Sequence, residues 1–340
     1  MLQLKNESPF APAISLLPNK NGIDTLFVVI KATFELWPVL KLAEKQVPPV
    51  LADEYWGEPG ISSLKYASEL HTGKPSTDVL LVGQAWPPDG KRATEMLVSL
   101  QVAERRKIIR VFGDRVWKSG GSFTSPQPFE SMPLVFERAY GGTQVLDETR
   151  ILAEERNPVG KGFAGKRSAS DMAHEALPNL EDPAHVLSRA GVRSEPACFS
   201  FVATHWLPRR AFAGTYDEAW QKKRAPYLPL DFDSRFFNCA CLEMTFDRFL
   251  RGDETVAIQG ASQRGPVQLT IPRCSLRTAV KIAGRSETPP PNLETVLLEP
   301  DANRMCMTWR AQVPCDKQAL KVEEITVTVD AIELDARGRR

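Results

Sequence analysis

The strongest constraint on this chain is a period-two apolar pattern near its start. Val28, Ile30, Ala32, Phe34 and Leu36 alternate with Phe27, Val29, Lys31, Thr33 and Glu35. Side chains of a strand point alternately to its two faces, so the pattern reads as a half-buried β-strand with a β-branched bias. The motif recurs in shorter form. Val79 to Ala85 ends in Trp86-Pro87-Pro88-Asp89-Gly90; Met96, Val98, Leu100 and Val102 alternate; Ile108 to Phe112 meets Gly113-Asp114 and runs into Arg115-Val116-Trp117, which reads as a tight hairpin. The 27 prolines and 21 glycines cut the chain too often for long helices.

Strand-like runs return at Val256 to Gln259, Val267 to Ile271, Val296 to Leu298, Met305 to Val313 and Ile325 to Val329, with a hairpin turn at Asp301-Ala302-Asn303. One helix is expected at 215–224. Thr215 and Glu218 have capping-box spacing, basic residues close the segment, and Pro226 stops it. Residues 147–196 are rich in charge, Gly and Pro and read as a long connection with a short helix near Ile151 to Glu155. The expected fold is mainly β: antiparallel sheets, sandwich-like and in two lobes, with a few short helices and long loops. Its parts are an N-terminal β lobe at 1–146, the connection at 147–196, and a C-terminal β lobe at 197–335. Pro289-Pro290-Pro291 reads as a stiff linker.

Charge and composition narrow the function. Lys plus Arg total 43 against 42 Asp plus Glu, so the chain lacks the basic excess of a phosphate-backbone binder. No stretch approaches the ~18 apolar residues of a membrane span, and the first residues lack the apolar core of a secretory signal. A cytoplasmic location is expected, with neither nucleic acid nor membrane as a partner. The six cysteines, Cys198, Cys239, Cys241, Cys274, Cys306 and Cys315, are then expected to be reduced and mostly buried.

Gly160-Lys161-Gly162-Phe163-Ala164-Gly165-Lys166-Arg167 fits G-x-G-x-x-G and approaches a P-loop. Both motifs need a buried strand before them and a helix after. Glu154-Glu155-Arg156-Asn157-Pro158-Val159 is no such strand, and Arg167 stands where a hydroxyl must reach magnesium. His71, His174, His185 and His205 have no metal-ligand spacing, and Cys239-x-Cys241 is not a zinc pair. No cofactor, metal ligand or catalytic residue is assigned. Asp231 and Asp233, beside Arg235, could serve as acid and base in a hydrolase, but charges alternating with Phe and Leu read better as a turn pairing with itself.

Several segments together resemble a known family. They are Ile23 to Phe34, Gly73 to Val79, Ser131 to Gly142, Asn157 to Phe163, Leu177 to Glu181, and Ala213 to Trp220 leading into Asp231 to Asn238. Their order and spacing, over about residues 20–280, are similar to an uncharacterised-domain family of effector adaptor/chaperones encoded in type VI secretion gene clusters beside VgrG and PAAR-like proteins. The resemblance implies a non-enzymatic protein that binds an effector through a PAAR-like domain and helps load it onto the VgrG spike. It supplies no catalytic residues. Aromatics and arginines favour interfaces, so Arg138, Tyr140, Phe163, Trp220, Arg235 and Phe236 are the candidate partner-binding residues. The alternatives are the Asp231/Asp233 hydrolase and a carbohydrate-binding β-sandwich using exposed Trp.

Overall fold

A computed structural model describes residues 3–334. The chain is mainly β, as its pattern predicts, and three sheets carry most of it. The major strands are β1 (Gln3–Glu7), β2 (Ala11–Pro18), β3 (Asp24–Glu35), β4 (Asp78–Leu81), β5 (Glu95–Val102), β6 (Arg105–Phe112), β7 (Leu180–Glu181), β8 (Thr255–Gln259), β9 (Val267–Thr270), β10 (Arg273–Ile282), β11 (Arg285–Glu287), β12 (Asn292–Glu299), β13 (Arg304–Pro314) and β14 (Val322–Glu333). The central sheet runs β2-β3-β13-β12-β4; a five-stranded sheet runs β7-β6-β5-β8-β9; a four-stranded sheet runs β1-β14-β10-β11. Neighbours are antiparallel except β1 with β14 and β12 with β4. One continuous hydrophobic core draws on all three, through Ile30 and Met307, Leu100 and Ile258, and Val280 and Val327.

The divisions at 146/147 and 196/197 do not separate these sheets. β3 lies between β2 and β13, β12 pairs β4, and β5 pairs β8. The reason is visible in β3, which is buried from Thr25 to Phe34 on both faces. Such a strand needs partners at both edges and cover on both sides, and the second half of the chain supplies them. Residues past Pro289, expected to follow a linker, form β12 and β13 in the middle of the central sheet, and Pro289 itself accepts a hydrogen bond from Thr278 Oγ1.

Local expectations fare unevenly. The Asp301-Ala302-Asn303 turn joins β12 to β13, with Asn303 in the left-handed conformation that Asn tolerates. Gly113-Asp114 is not a hairpin: β6 ends at Phe112, and its hairpin partner β5 is reached through Ala103-Glu104. Gly113 instead packs on the Gln127 carbonyl. Ile151 to Glu155 is not a helix; Ile151–Ala153 pairs with Thr143–Val145 in a two-stranded ribbon, because Asp147 accepts from the Thr149 and Arg150 backbone and closes a turn. The one α-helix among the described residues, α1, spans Glu218–Lys223. Asp217 caps it by accepting from Trp220 N, whereas Thr215 turns away to Asp231.

Candidate functional site

In the central sheet the alternation of β3 and β13 sends two kinds of side chain in opposite directions. Val28, Ile30, Ala32 and Phe34, with Met305, Met307 and Trp309, enter the hydrophobic core. Lys31 and Thr33 stand on the other face, in register with Thr308 and Cys306, and Arg310 lies opposite Val29. In β12 this face carries Thr295 and Leu297. A polar face of this kind usually meets water. Here segments 46–74 and 199–239 close over it and leave a cavity of about 230 Å³.

Its floor is charged and buried. Lys31 Nζ lies 2.9 Å from Glu69, which also accepts from Thr308 Oγ1 at 2.6 Å. Lys74 Nζ lies 2.6 Å from Asp78 and donates to Thr295 Oγ1. Arg310 Nε donates to Glu294 at 2.8 Å, and its Nη2 reaches the Glu69 carbonyl and His71 Nε2. Arg310 Nη1 is buried with no partner among the described residues. Arg209 is 5% exposed, yet its guanidinium donates only to the carbonyls of Phe236 and Val202, and no carboxylate pairs with it among the described residues. Apolar walls come from Phe201, Leu297 and Phe237, the last stacked on His71 at 4.8 Å. The rim is half-buried, at Ala67, Ser68, Thr204 and Phe236.

Electrostatics fix the protonation states. Burial holds His71 well below its ordinary pKa, and the charges of Arg310, Lys74 and Arg209 push the same way. Both ring nitrogens face donors, Arg310 Nη2 at Nε2 and Gly73 N at Nδ1, which further disfavours the doubly protonated ring. Burial opposes the charge of Lys74, but Asp78 and its other acidic neighbours raise it above the lysine range. Burial pushes the Cys239 thiol up to about 11 despite Lys74 beside it, so it is a thiol at neutral pH rather than a nucleophilic thiolate. The arrangement holds fixed positive charge beside aromatic surface.

The expected contact residues fall in separate places. Arg138, Tyr140 and Phe163 lie in a knot of loops. Asn157 Nδ2 donates to the carbonyls of Phe136 and Tyr140, and Tyr140-Gly141 pairs in parallel with Lys161-Gly162. A Cβ on Gly141 would sit 2.0 Å from the Asn157 carbonyl, and one on Gly160 would sit 2.5 Å from that of Ala139. The glycines therefore serve close backbone packing, and no helix follows them. Arg167 donates back to Phe163 and Ala164. Tyr140 is 3% exposed in a small core with Trp117 and Leu177, so it shapes the knot and offers a partner nothing to touch. Arg138 pairs with Asp114 and Asn179. Phe163 is half-buried, as is Trp220, which donates from Nε1 to the Tyr227 carbonyl. Arg235 is exposed, pairs with Asp233 and covers the Phe212 ring, while Phe236 lines the cavity. Asp231 and Asp233 do not act as a pair: Asp231 binds Thr215, and Asp233 caps a short 3-10 turn and holds Arg235. Of the tryptophans, Trp117, Trp206 and Trp309 are buried and Trp56 is the most open. All six cysteines are free, and Cys241 and Cys274 are only partly buried.

The segments Ser131 to Gly142, Asn157 to Phe163 and Leu177 to Glu181 are thus one structural unit, joined further by Asn179 N donating to the Arg138 carbonyl. A family model described as an uncharacterized protein conserved in bacteria (DUF2169) matches residues 21–310. The chain belongs to the DUF2169 family. No curated protein and no solved structure matches it. The DUF2169 match takes in the knot, the cavity and all but the last residues of β13. No helix among the described residues is long and apolar enough to cross a membrane.

The cavity residues Lys31, His71, Lys74, Arg209, Glu294 and Arg310 are absent from the expected site. Lys31 and Arg310 stand at polar positions of alternating strands, which read equally as a solvent face, and His71, Lys74, Arg209 and Glu294 belong to no such pattern in β3 or β13.

Proposed function

We propose that the chain is an adaptor/chaperone that binds a type VI secretion effector, through a PAAR-like domain, and helps place it on the VgrG spike. Family membership is the background for this reading, and one observation carries it. The ribbon Thr143–Val145 with Ile151–Ala153 stands beside the knot as a separate two-stranded sheet. Val145 and Ile151 face one another across it and are 69% and 62% exposed. A two-stranded ribbon offers open edges for an added strand, and an exposed apolar cross-strand pair offers a side-chain contact beside them. The rest of the knot is fixed by side-chain-to-backbone bonds, so the ribbon projects from a rigid base. The Asp231/Asp233 hydrolase has weaker support, since each carboxylate is engaged in holding its own loop.

The test is co-expression with a neighbouring effector that carries a PAAR-like domain, followed by affinity capture. Wild type should retain the effector. Val145→Lys with Ile151→Lys should release it at an unchanged melting temperature, since both positions are exposed. No capture by wild type, or undiminished capture by the double variant, counts against the reading.

A further inference from the structure

We propose that the cavity over the central sheet binds a small organic monocarboxylate with an apolar body. This does not rest on the adaptor reading. Four buried cations belong to the cavity: Lys31, Lys74, Arg209 and Arg310. Three of them have carboxylate partners, Glu69, Asp78 and Glu294. Arg209 has none. Asp53 sits half-buried on the rim, where it accepts from Ser68 N, and it forms no ion pair among the described residues. His71 is neutral. With Asp53 counted, four carboxylates stand against the four cations, and among the described residues Arg209 is the cation that no carboxylate contacts.

A buried guanidinium bonded only to neutral carbonyls is costly, and an anion relieves it. Two donors are available for that anion. Arg209 Nη2 has no partner among the described residues, its other nitrogens being committed to Phe236 and Val202. Arg310 Nη1 is likewise unpartnered. Each guanidinium has one free nitrogen among the described residues, so each offers a carboxylate a charge-assisted hydrogen bond rather than a two-pronged fork. One cation without a carboxylate contact calls for a single negative charge, so a monocarboxylate fits better than phosphate. The rest of the ligand meets Phe201, Leu297 and Phe237. At about 230 Å³ the space is below the roughly 300–1,000 Å³ of drug-sized pockets and suits a molecule of amino-acid size.

The experiment titrates the whole protein calorimetrically with benzoate and pentanoate, and with benzamide, pentanamide and inorganic phosphate as controls. At least one carboxylate should bind saturably and raise the melting temperature; the amides and phosphate should not. Arg209→Gln should weaken binding by about tenfold to a hundredfold, the range for a lost charge-assisted bond. Because Arg209 also holds two carbonyls, Thr204→Trp is the second variant. It fills the rim without touching an ion pair and should abolish binding in a folded protein. The proposal is overturned if neither carboxylate gives a saturable isotherm up to about 10 mM, if the amides bind as tightly as the acids, or if Thr204→Trp binds like wild type.

Discussion

The connection at 147–196 reads as loose in sequence and is pinned in the structure, and Glu154 is where the pin can be pulled. Its side chain is fully buried. It accepts from Arg156 Nε at 2.6 Å and Nη2 at 2.9 Å, and from Arg193 Nε at 2.8 Å and Nη2 at 3.0 Å. Arg156 continues to the Ser194 carbonyl and to Glu195. Residues 154–156 are thereby clamped to 193–195. Burial alone would raise the Glu154 pKa, but the two guanidiniums overcome it and bring it from 4.5 to about 2. At 1.36 kcal/mol per unit, that drop corresponds to about 3 kcal/mol. Arg193 is 65% exposed, so water screens part of this and the figure is a ceiling. The folded pKa is the lower one. The stabilisation is therefore complete above the unfolded value near 4.5 and shrinks as pH falls toward about 2. Glu154→Gln keeps the shape and removes the charge. Urea unfolding of the two proteins should differ by about 2–3 kcal/mol at pH 7 and by about half of that at pH 3. A gap below about 1 kcal/mol at pH 7, or one that does not narrow in acid, would refute the clamp.

Two further outcomes follow from local geometry. A Cβ added at Gly113 would lie 1.7 Å from the Gln127 carbonyl oxygen, so Gly113→Ala should cost about 3 kcal/mol in urea unfolding, the upper end for overpacking; a change below about 0.5 kcal/mol would mean that the segment around Gln127 has no fixed place. In a histidine-ring NMR titration, His71 should remain neutral well below the ordinary value of 6.5. Since the folded pKa is the lower one, stability tied to His71 is complete above pH 6.5 and declines below it; a His71 resonance that titrates near 6.5 would show the cavity to be open to water.

The fold was legible where the apolar pattern is local. Period-two runs located β3, β5, β8, β9, β13 and β14 within a few residues, because alternation reports directly on strand geometry. Failures came where a contact outside the motif itself decides the outcome. Ile151 to Glu155 contains good helix formers, but Asp147 closes a turn that delivers Ile151 to Val145 as a strand. Gly113-Asp114 has hairpin chemistry, yet Gly113 is required for contact with Gln127 and Asp114 for Arg138 and Asn179. Thr215 has capping spacing, but Asp217 competes for the same role and prevails.

The cavity was illegible for a deeper reason. Lys31 in β3 and Arg310 in β13 are each an ordinary polar position in an alternating strand. Only the pairing of β3 with β13 sets them on one face, and only the covering residues of segments 46–74 and 199–239 turn that face from exposed to buried. Covering it with apolar residues would have made a second core at lower electrostatic cost, because buried ion pairs rarely exceed their own desolvation. The chain instead keeps four buried cations, one without a carboxylate, and leaves space above them. Stability alone does not call for that arrangement. A fold that departs from the cheaper solution at one place, with charge, aromatic walls and volume together, is most simply explained by something that fits there.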